Sequence, residues 1–307
     1  MKYLLALLPF ICLYSCSSDE TVVNRNAQSL NFTDVFSFQA DTLDLDMISS
    51  NSENALYITY SADNGFNEDL TKYNLTTSAQ TSVTHPDISG SRQIEIIGNS
   101  LYSISNDVYK FDLNLGNGAL INNNNSGFEG LRGVPYNDAI FFPMGYDNIA
   151  SYNTLTNTSQ TTYNSFATGR TRSDGEIYND KLYSFGGSTG NRNYMPQSFS
   201  EINIYDIVNN TWTQQNLPFT VFESFTALNI DKIIVAGNTN SAGNGAFIGV
   251  FDPSLNTFTQ IPVSLDLNNI SIRSITILNN DLYIAYADFL PIMPSLITIK
   301  VVKTVLP

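Results

Sequence analysis

The sequence predicts an all-β fold of six repeated units, each built from four antiparallel strands. A short hydrophobic or aromatic pair recurs along the chain at steps of 45, 39, 42, 51 and 49 residues. Repeats of about 40 to 50 residues with several short strands are typical of β-propeller blades. One blade cannot bury both of its faces, so its stability requires the complete ring. The six pairs are Leu56-Tyr57, Leu101-Tyr102, Ile140-Phe141, Leu182-Tyr183, Ile233-Ile234 and Leu282-Tyr283.

A second strand follows the pair in five of the six units and ends in an aromatic residue followed by Asn or Asp. Aromatic residues favour strands, whereas Asn and Asp favour turns, so each of these dipeptides predicts the end of a strand. They are Tyr73-Asn74, Phe111-Asp112, Tyr152-Asn153, Tyr205-Asp206 and Phe251-Asp252.

The fourth unit carries a more specific pattern, in which Gly186-Gly187 follows the first strand, Tyr205-Asp206 ends the second and Trp212 comes seven residues after Tyr205. This pattern resembles a complete kelch repeat, and the fifth unit resembles a degraded copy. The resemblance implies a six-bladed, kelch-like β-propeller of the galactose oxidase/kelch-like superfamily. It also implies that the paired glycines admit neighbouring backbone and that Tyr205 and Trp212 pack between adjacent blades. Two unrelated β domains are the alternative.

The ring is expected to close through its N-terminal strand. After the segment Leu296 to Val302 only five residues remain, too few for another strand and turn. The segment Val35 to Phe38 has no place in the first unit. We therefore expect it to form the outermost strand of the last blade and to cover that blade's edge.

The first sixteen residues predict an export signal. Lys2 precedes an apolar run of about ten residues, too short for a membrane span of about 20. The ending Leu13-Tyr14-Ser15-Cys16 resembles the bacterial lipobox, which implies a lipidated Cys16; an ordinary signal peptide is the alternative. Asp19-Glu20 resembles the surface-export tag of some Gram-negative lipoproteins. We expect a signal peptide at 1–16, a flexible tether at 17–32, a propeller at 33–307, and a lipid-anchored location on the outer membrane, exposed at the cell surface.

Composition restricts the partners. The chain has two cysteines, one lost with the signal and the other lipidated, so no disulfide is expected. A net charge of −14 disfavours nucleic acid. The single histidine, His85, disfavours the common multi-histidine metal sites. We expect no metal or cofactor, no membrane contact beyond the lipid anchor, and a monomer.

A charged residue lies eight to ten residues before the hydrophobic pair in five units: Arg92, Arg132, Arg172, Glu223 and Arg273. Because this position falls near the start of the innermost strand, these side chains are expected to converge at one mouth of the central channel. They either bond to backbone and acidic groups of neighbouring blades, such as Asp46, and tie the ring together, or grip an anion bidentately. In the second case the tyrosines of the neighbouring strands could stack on a sugar.

These observations predict a non-catalytic propeller of the cell envelope that binds a glycan or a protein partner, with Arg92, Arg132, Arg172, Arg273 and Glu223 as ligand-binding residues. The alternative is an enzyme that resembles the kelch-type sialic acid mutarotase or a sialidase. In that enzyme the arginines would hold a carboxylate and Glu223 would transfer protons. Galactose oxidase chemistry is excluded because its copper site requires two histidines and a Cys-Tyr crosslink.

Overall fold

The computed structural model describes residues 29–61, 68–85, 93–105, 107–116, 118–122, 132–145, 148–163, 170–189, 197–241, 245–288 and 296–306. It confirms the predicted fold, with six antiparallel sheets of four strands each and no helix among these residues. The described part of the chain accordingly holds no helix suited to crossing a bilayer. Cys16, the tether up to residue 28 and Arg92 lie outside the described residues.

The strands follow the predicted order around the ring. The chain begins with β1 (Thr33–Ala40), which belongs to the last blade. Blade 1 contains β2 (Leu45–Ser50), β3 (Ala55–Ser61), β4 (Glu68–Asn74) and β5 (Gln80–His85). Blade 2 contains β6 (Gln93–Ile97), β7 (Ser100–Ile104), β8 (Val108–Asp112) and β9 (Ala119–Asn122). Blade 3 contains β10 (Val134–Tyr136), β11 (Ala139–Gly145), β12 (Asn148–Asn153) and β13 (Thr158–Tyr163).

The second half of the ring repeats this arrangement. Blade 4 contains β14 (Asp174–Tyr178), β15 (Lys181–Phe185), β16 (Phe199–Asp206) and β17 (Thr211–Val221). Blade 5 contains β18 (Glu223–Asn229), β19 (Lys232–Asn238), β20 (Ala246–Asp252) and β21 (Thr257–Gln260). Blade 6 contains β22 (Ile270–Leu278), β23 (Asp281–Asp288), β24 (Ile297–Val305) and β1. The first strand of each blade contacts the first strand of the next, and the ring closes between β22 and β2.

The N-terminal strand closes the last blade as expected, because β1 pairs antiparallel with β24 from Thr33↔Lys303 to Ala40↔Ile297. Two aromatic contacts then join β1 to blade 1. The ring of Phe36 stacks on Tyr73 at 4.0 Å, and Phe38 lies 4.5 Å from Tyr60. Leu30, within the predicted tether, is buried and accepts a hydrogen bond from the Ser264 N–H. Packing against the propeller therefore begins before β1.

Six apolar clusters hold the described residues together, one at each junction between neighbouring blades. At the junction of blades 3 and 4, Tyr205 packs with Val134 and Ile149 of blade 3. Trp212 packs against this cluster, with its ring 4.8 Å from that of Tyr205. Because each cluster is shared by two blades, burial of apolar surface rewards the closed ring.

The Asn or Asp after each aromatic residue closes the turn between the third and fourth strands. Asn74 accepts the N–H groups of Thr76 and Thr77 at 3.0 and 2.9 Å, and Asp206 accepts that of Asn209 at 2.8 Å. Asp112, Asn153 and Asp252 do the same in their own blades. The aromatic residue before each of them is buried. The repeated dipeptide thus combines one core anchor with one turn cap.

Candidate functional site

The predicted charged residues lie near the starts of the innermost strands. Arg132 and Arg172 each precede their strand by two residues, Glu223 is the first residue of β18, and Arg273 lies at a register shift in β22. We call this end of the inner strands the channel mouth. The structure brings Arg132, Glu223 and Arg273 into contact, whereas Arg172 lies beside that cluster without an ion pair to Glu223.

Glu223 is the centre of the cluster and its side chain is only 8 % exposed. Its Oε1 lies 3.6 Å from Arg132 Nη2, and its Oε2 lies 3.3 Å from Arg273 Nη1. The side-chain amide of Asn238 donates to the same Oε2 at 3.2 Å. One carboxylate of blade 5 therefore connects blade 3 with blade 6, although these two blades are not neighbours in the ring.

Arg132 makes further contacts with blade 5. Its Nη1 donates to the Ser224 carbonyl at 3.0 Å, and the guanidinium carbon lies 3.8 Å from the centre of the Phe225 ring. The buried Nε of Arg132 has no hydrogen-bond partner among the described residues. Most of this guanidinium is thus engaged in joining blades, as in the first interpretation of the arginines.

Arg273 is buried more deeply, with 7 % of the residue exposed. Its Nη2 donates to the Ser271 hydroxyl, and its Nε has no partner among the described residues. Burial lowers the pKa of this guanidinium, and the nearby Glu223 carboxylate opposes that shift. Arginine nevertheless stays protonated in proteins, so Arg273 supplies a fixed positive charge.

Arg172 differs from the other two arginines. It is exposed and forms no ion pair with a described residue; its guanidinium carbon lies 4.9 Å from the centre of the Phe222 ring. Its φ of 61° is in the left-handed region, which costs about 1 kcal/mol or more for a residue with a side chain. The Arg172 carbonyl accepts the Ser224 N–H at 3.0 Å, which holds this conformation.

The inner strands enclose a channel cavity of about 270 Å³ that all six blades line. Four carboxyl groups line it, from Asp46, Glu95, Asp174 and Glu176, together with the Arg132 guanidinium. Sequence inspection missed Glu95 and Glu176. Their only signal is their alternation with apolar residues in β6 and β14, which any half-exposed strand would show.

A repeated hydrogen bond joins neighbouring inner strands at one register position. In each blade, the first residue of the hydrophobic pair lies opposite one residue of the innermost strand. We call the residue three positions before that opposite residue the clamp position. Asp46 accepts the Ile94 N–H of the next blade at 2.9 Å, and Asp174 accepts that of Thr226 at 2.8 Å. The six residues at this position are Asp46, Gln93, Arg132, Asp174, Phe225 and Ser274.

All four channel carboxyls have a pKa above the usual range. Burial raises the pKa of Glu176 to about 8, and the neighbouring Asp174 adds to the shift. Burial raises the pKa of Asp174 to about 6, although the Arg132 charge opposes it. Burial also raises the pKa of Asp46, and that of Glu95 still further because Asp46 repels its negative charge. The channel is thus a region where negative charge is costly.

The tyrosines that could have stacked on a sugar lie in the blade junctions instead. Tyr102, Tyr183 and Tyr283 are each 5 % exposed or less and belong to the apolar clusters. A further arginine was missed in the sequence. Arg170 is 1 % exposed, lies 3.3 Å from Glu201 and donates to the Gly186 carbonyl at 3.1 Å. These contacts lie within blade 4, so Arg170 supports the blade and not the channel.

Within the described ranges, no group of three or more His, Cys, Asp or Glu side chains is arranged to hold a metal ion. No protein-family model matches the chain, and a search of curated proteins finds no match. The geometry of the channel and its mouth therefore carries the functional argument.

Proposed function

We propose that this chain is a lipid-anchored envelope protein whose propeller recognises an acidic ligand, a carboxylate-bearing glycan or a partner protein, at the channel mouth. The observation that carries the proposal is the position of Arg172. It presents an exposed guanidinium beside a cluster whose two other arginines are already held by Glu223. A guanidinium binds a carboxylate through two parallel hydrogen bonds, which makes it the preferred group for this ligand.

The strained backbone at Arg172 supports a role in binding. Twelve other non-glycine residues among those described have positive φ, and they lie in the short turns at the opposite end of the strands, where Asn, Asp and Gly are usual. Arg172 is the exception among the described residues. Unfavourable backbone conformations of this kind cluster at binding sites, where surrounding contacts fix them.

Glu223 fits binding better than catalysis. A general base needs a carboxylate oxygen open to the proton that it removes. Both oxygens of Glu223 already face a guanidinium, and one also accepts from Asn238. A mutarotase-like activity is tested directly by NMR of sialic acid anomer exchange. Acceleration by purified protein that is lost in Glu223→Gln would replace the binding proposal with the enzymatic one.

The binding proposal is tested with sialic acid and galacturonic acid as carboxylate probes, using calorimetry on the soluble protein without its signal. We expect saturable binding that weakens at least tenfold in Arg172→Ala with an unchanged melting temperature. The matched control is Lys181→Ala, an exposed cation at the first residue of β15, at the opposite end of blade 4. Equal binding by wild type and Arg172→Ala, or no binding of either acid and no hit on an acidic glycan array, would contradict the proposal.

The location is tested separately. Radiolabelled palmitate should be incorporated into the wild-type chain and not into Cys16→Ala, and protease treatment of intact cells should degrade the anchored protein. Complete protection from the protease would place the protein on the periplasmic side of the membrane. A chain that takes up no label would contradict the lipid anchor.

A further inference from the structure

We propose that the channel cavity binds a small aliphatic amine in its ammonium form. The ammonium group would lie among the channel carboxyls and donate a hydrogen bond to Gln93 Oε1, while its carbon chain would lie along the apolar end of the channel. This site is distinct from Arg172 at the channel mouth and does not depend on the function proposed for it.

The cavity lining contains more acidic than basic side chains. Among the described residues that line the cavity, four carboxyl groups face one guanidinium. That guanidinium, on Arg132, is shared with Glu223 outside the cavity lining. Like charges held together in a low-dielectric interior are unfavourable unless a cation or a proton neutralises them. The cavity therefore favours a positively charged occupant.

Gln93 lies at the clamp position of blade 2. The corresponding Asp46 and Asp174 accept an N–H from the next inner strand, and the hydroxyl of Ser274 accepts that of Met47 at 3.1 Å. Gln93 lines the cavity and is 4 % exposed, yet its Oε1 has no hydrogen-bond partner in the described part of the chain. Burying an acceptor without a hydrogen-bond partner costs about 1 to 3 kcal/mol. A ligand that donates a hydrogen bond to this oxygen would remove that cost.

The cavity suits an amine better than a bare metal ion. The described acidic residues do not converge on a single point as the ligands of a metal must. The cavity of about 270 Å³ also has room for several water-sized groups, each of about 30 Å³. An ammonium group donates hydrogen bonds in three directions, and a carbon chain fills further volume. An amine therefore matches separated carboxyls in a roomy cavity.

The channel also has an apolar end. Ile96, Pro135, Leu228 and Ile277 line the cavity next to the turns, at the residues that pair with the hydrophobic pairs of their blades. Asp46 and Asp174 lie three residues nearer the channel mouth than this register position, and Glu95 and Glu176 lie one residue nearer. A cavity that is acidic on one side and apolar on the other is complementary to an alkylammonium ion, whose charge lies at one end of a hydrocarbon chain.

The test uses calorimetry at pH 8 and constant ionic strength, with n-butylamine and putrescine as probes. We expect saturable binding that weakens at least tenfold in Gln93→Leu and again in Glu95→Gln/Glu176→Gln. These variants remove an unpaired acceptor or mutual repulsion, so they should keep the fold, which circular dichroism checks. The control is Asp34→Asn, an exposed carboxyl on the outermost strand of blade 6, which should bind as wild type does.

Two further ligands sharpen the result. Tetramethylammonium carries the same charge without N–H donors and should not compete with butylamine. Calcium and magnesium should not displace the amine at equal ionic strength. The proposal is overturned if neither amine binds saturably, if the channel variants bind as well as wild type, or if a divalent metal ion displaces the amine stoichiometrically.

Discussion

Arg132 and Glu223 form an ion pair that crosses the channel mouth, joining blade 3 to blade 5 past the blade between them, with 3.6 Å between Nη2 and Oε1. Most contacts between different blades of a propeller join adjacent blades, because each blade packs on its two neighbours. This pair instead resists the separation of non-adjacent blades. Arg273 adds blade 6 to the same carboxylate.

Replacing Glu223 with Gln should lower the free energy of unfolding by about 3 to 5 kcal/mol, because it leaves two largely buried guanidinium groups without their counter-ion. Urea denaturation measures this loss. The control is Asp288→Asn, which breaks the exposed pair with Lys300 and should cost less than about 1 kcal/mol. Equal losses in the two variants would show that the pair does not support the ring.

The paired glycines provide a second prediction, since Gly186 has a φ of 52° and a Cβ there would lie 2.5 Å from Val221 Cβ. Gly186→Ala should therefore combine backbone strain with a steric clash. Gly98 is a matched control, because its φ is 61° and its added Cβ would meet nothing within 4 Å. We expect Gly186→Ala to lose about 1 to 3 kcal/mol more than Gly98→Ala, measured by urea denaturation. Similar losses would assign the whole cost to the backbone.

The strands and the closure of the ring could be predicted from the sequence because both depend on local signals. Each Asn or Asp that ends a third strand caps its own turn, as Asn74 and Asp206 do, so the signal and the interaction lie within a few residues. The closing strand was predicted by comparing the number of strands that each unit needs with the segments available to it. Tyr205 and Trp212 were likewise expected to pack between adjacent blades, and both lie at a blade junction.

The site was harder to predict because it depends on register between distant strands. Arg132 lies at the clamp position, whereas Arg172 and Glu223 lie two residues earlier in their blades. Residues with similar spacing in the sequence thus occupy different register positions in the inner strands. The channel carboxyls escaped notice for a related reason. Glu95 and Glu176 come close enough for their charges to repel each other only in the closed ring.

Removing the closing strand tests the ring as a whole. Deletion of residues 30–39 exposes the edge of β24 and removes the contacts of Phe36 and Phe38 with blade 1. We expect the melting temperature to fall by about 10 °C or more, given about 2 to 4 °C per kcal/mol for a domain of this size. Deletion of residues 17–26, in the predicted tether, is the control and should change little. A deletion variant as stable as the wild type would contradict closure by β1.

Stability should fall as the pH rises from 5 to 9. Burial raises the pKa of Asp174 to about 6 and of Glu176 to about 8, and it also raises the pKa of Asp46 and Glu95. Between the ordinary carboxyl pKa and these values the folded state binds more protons than the unfolded state. The free energy of unfolding then decreases with pH, by about 1.4 kcal/mol per pH unit for each extra proton bound.

Melting temperatures measured across this range, without amines in the buffer, test the slope. Glu95→Gln/Glu176→Gln should flatten it and raise the stability at pH 8, because amides carry no charge to bury. A wild-type stability that stays constant or rises over this range would show that the channel carboxyls are already ionised and compensated.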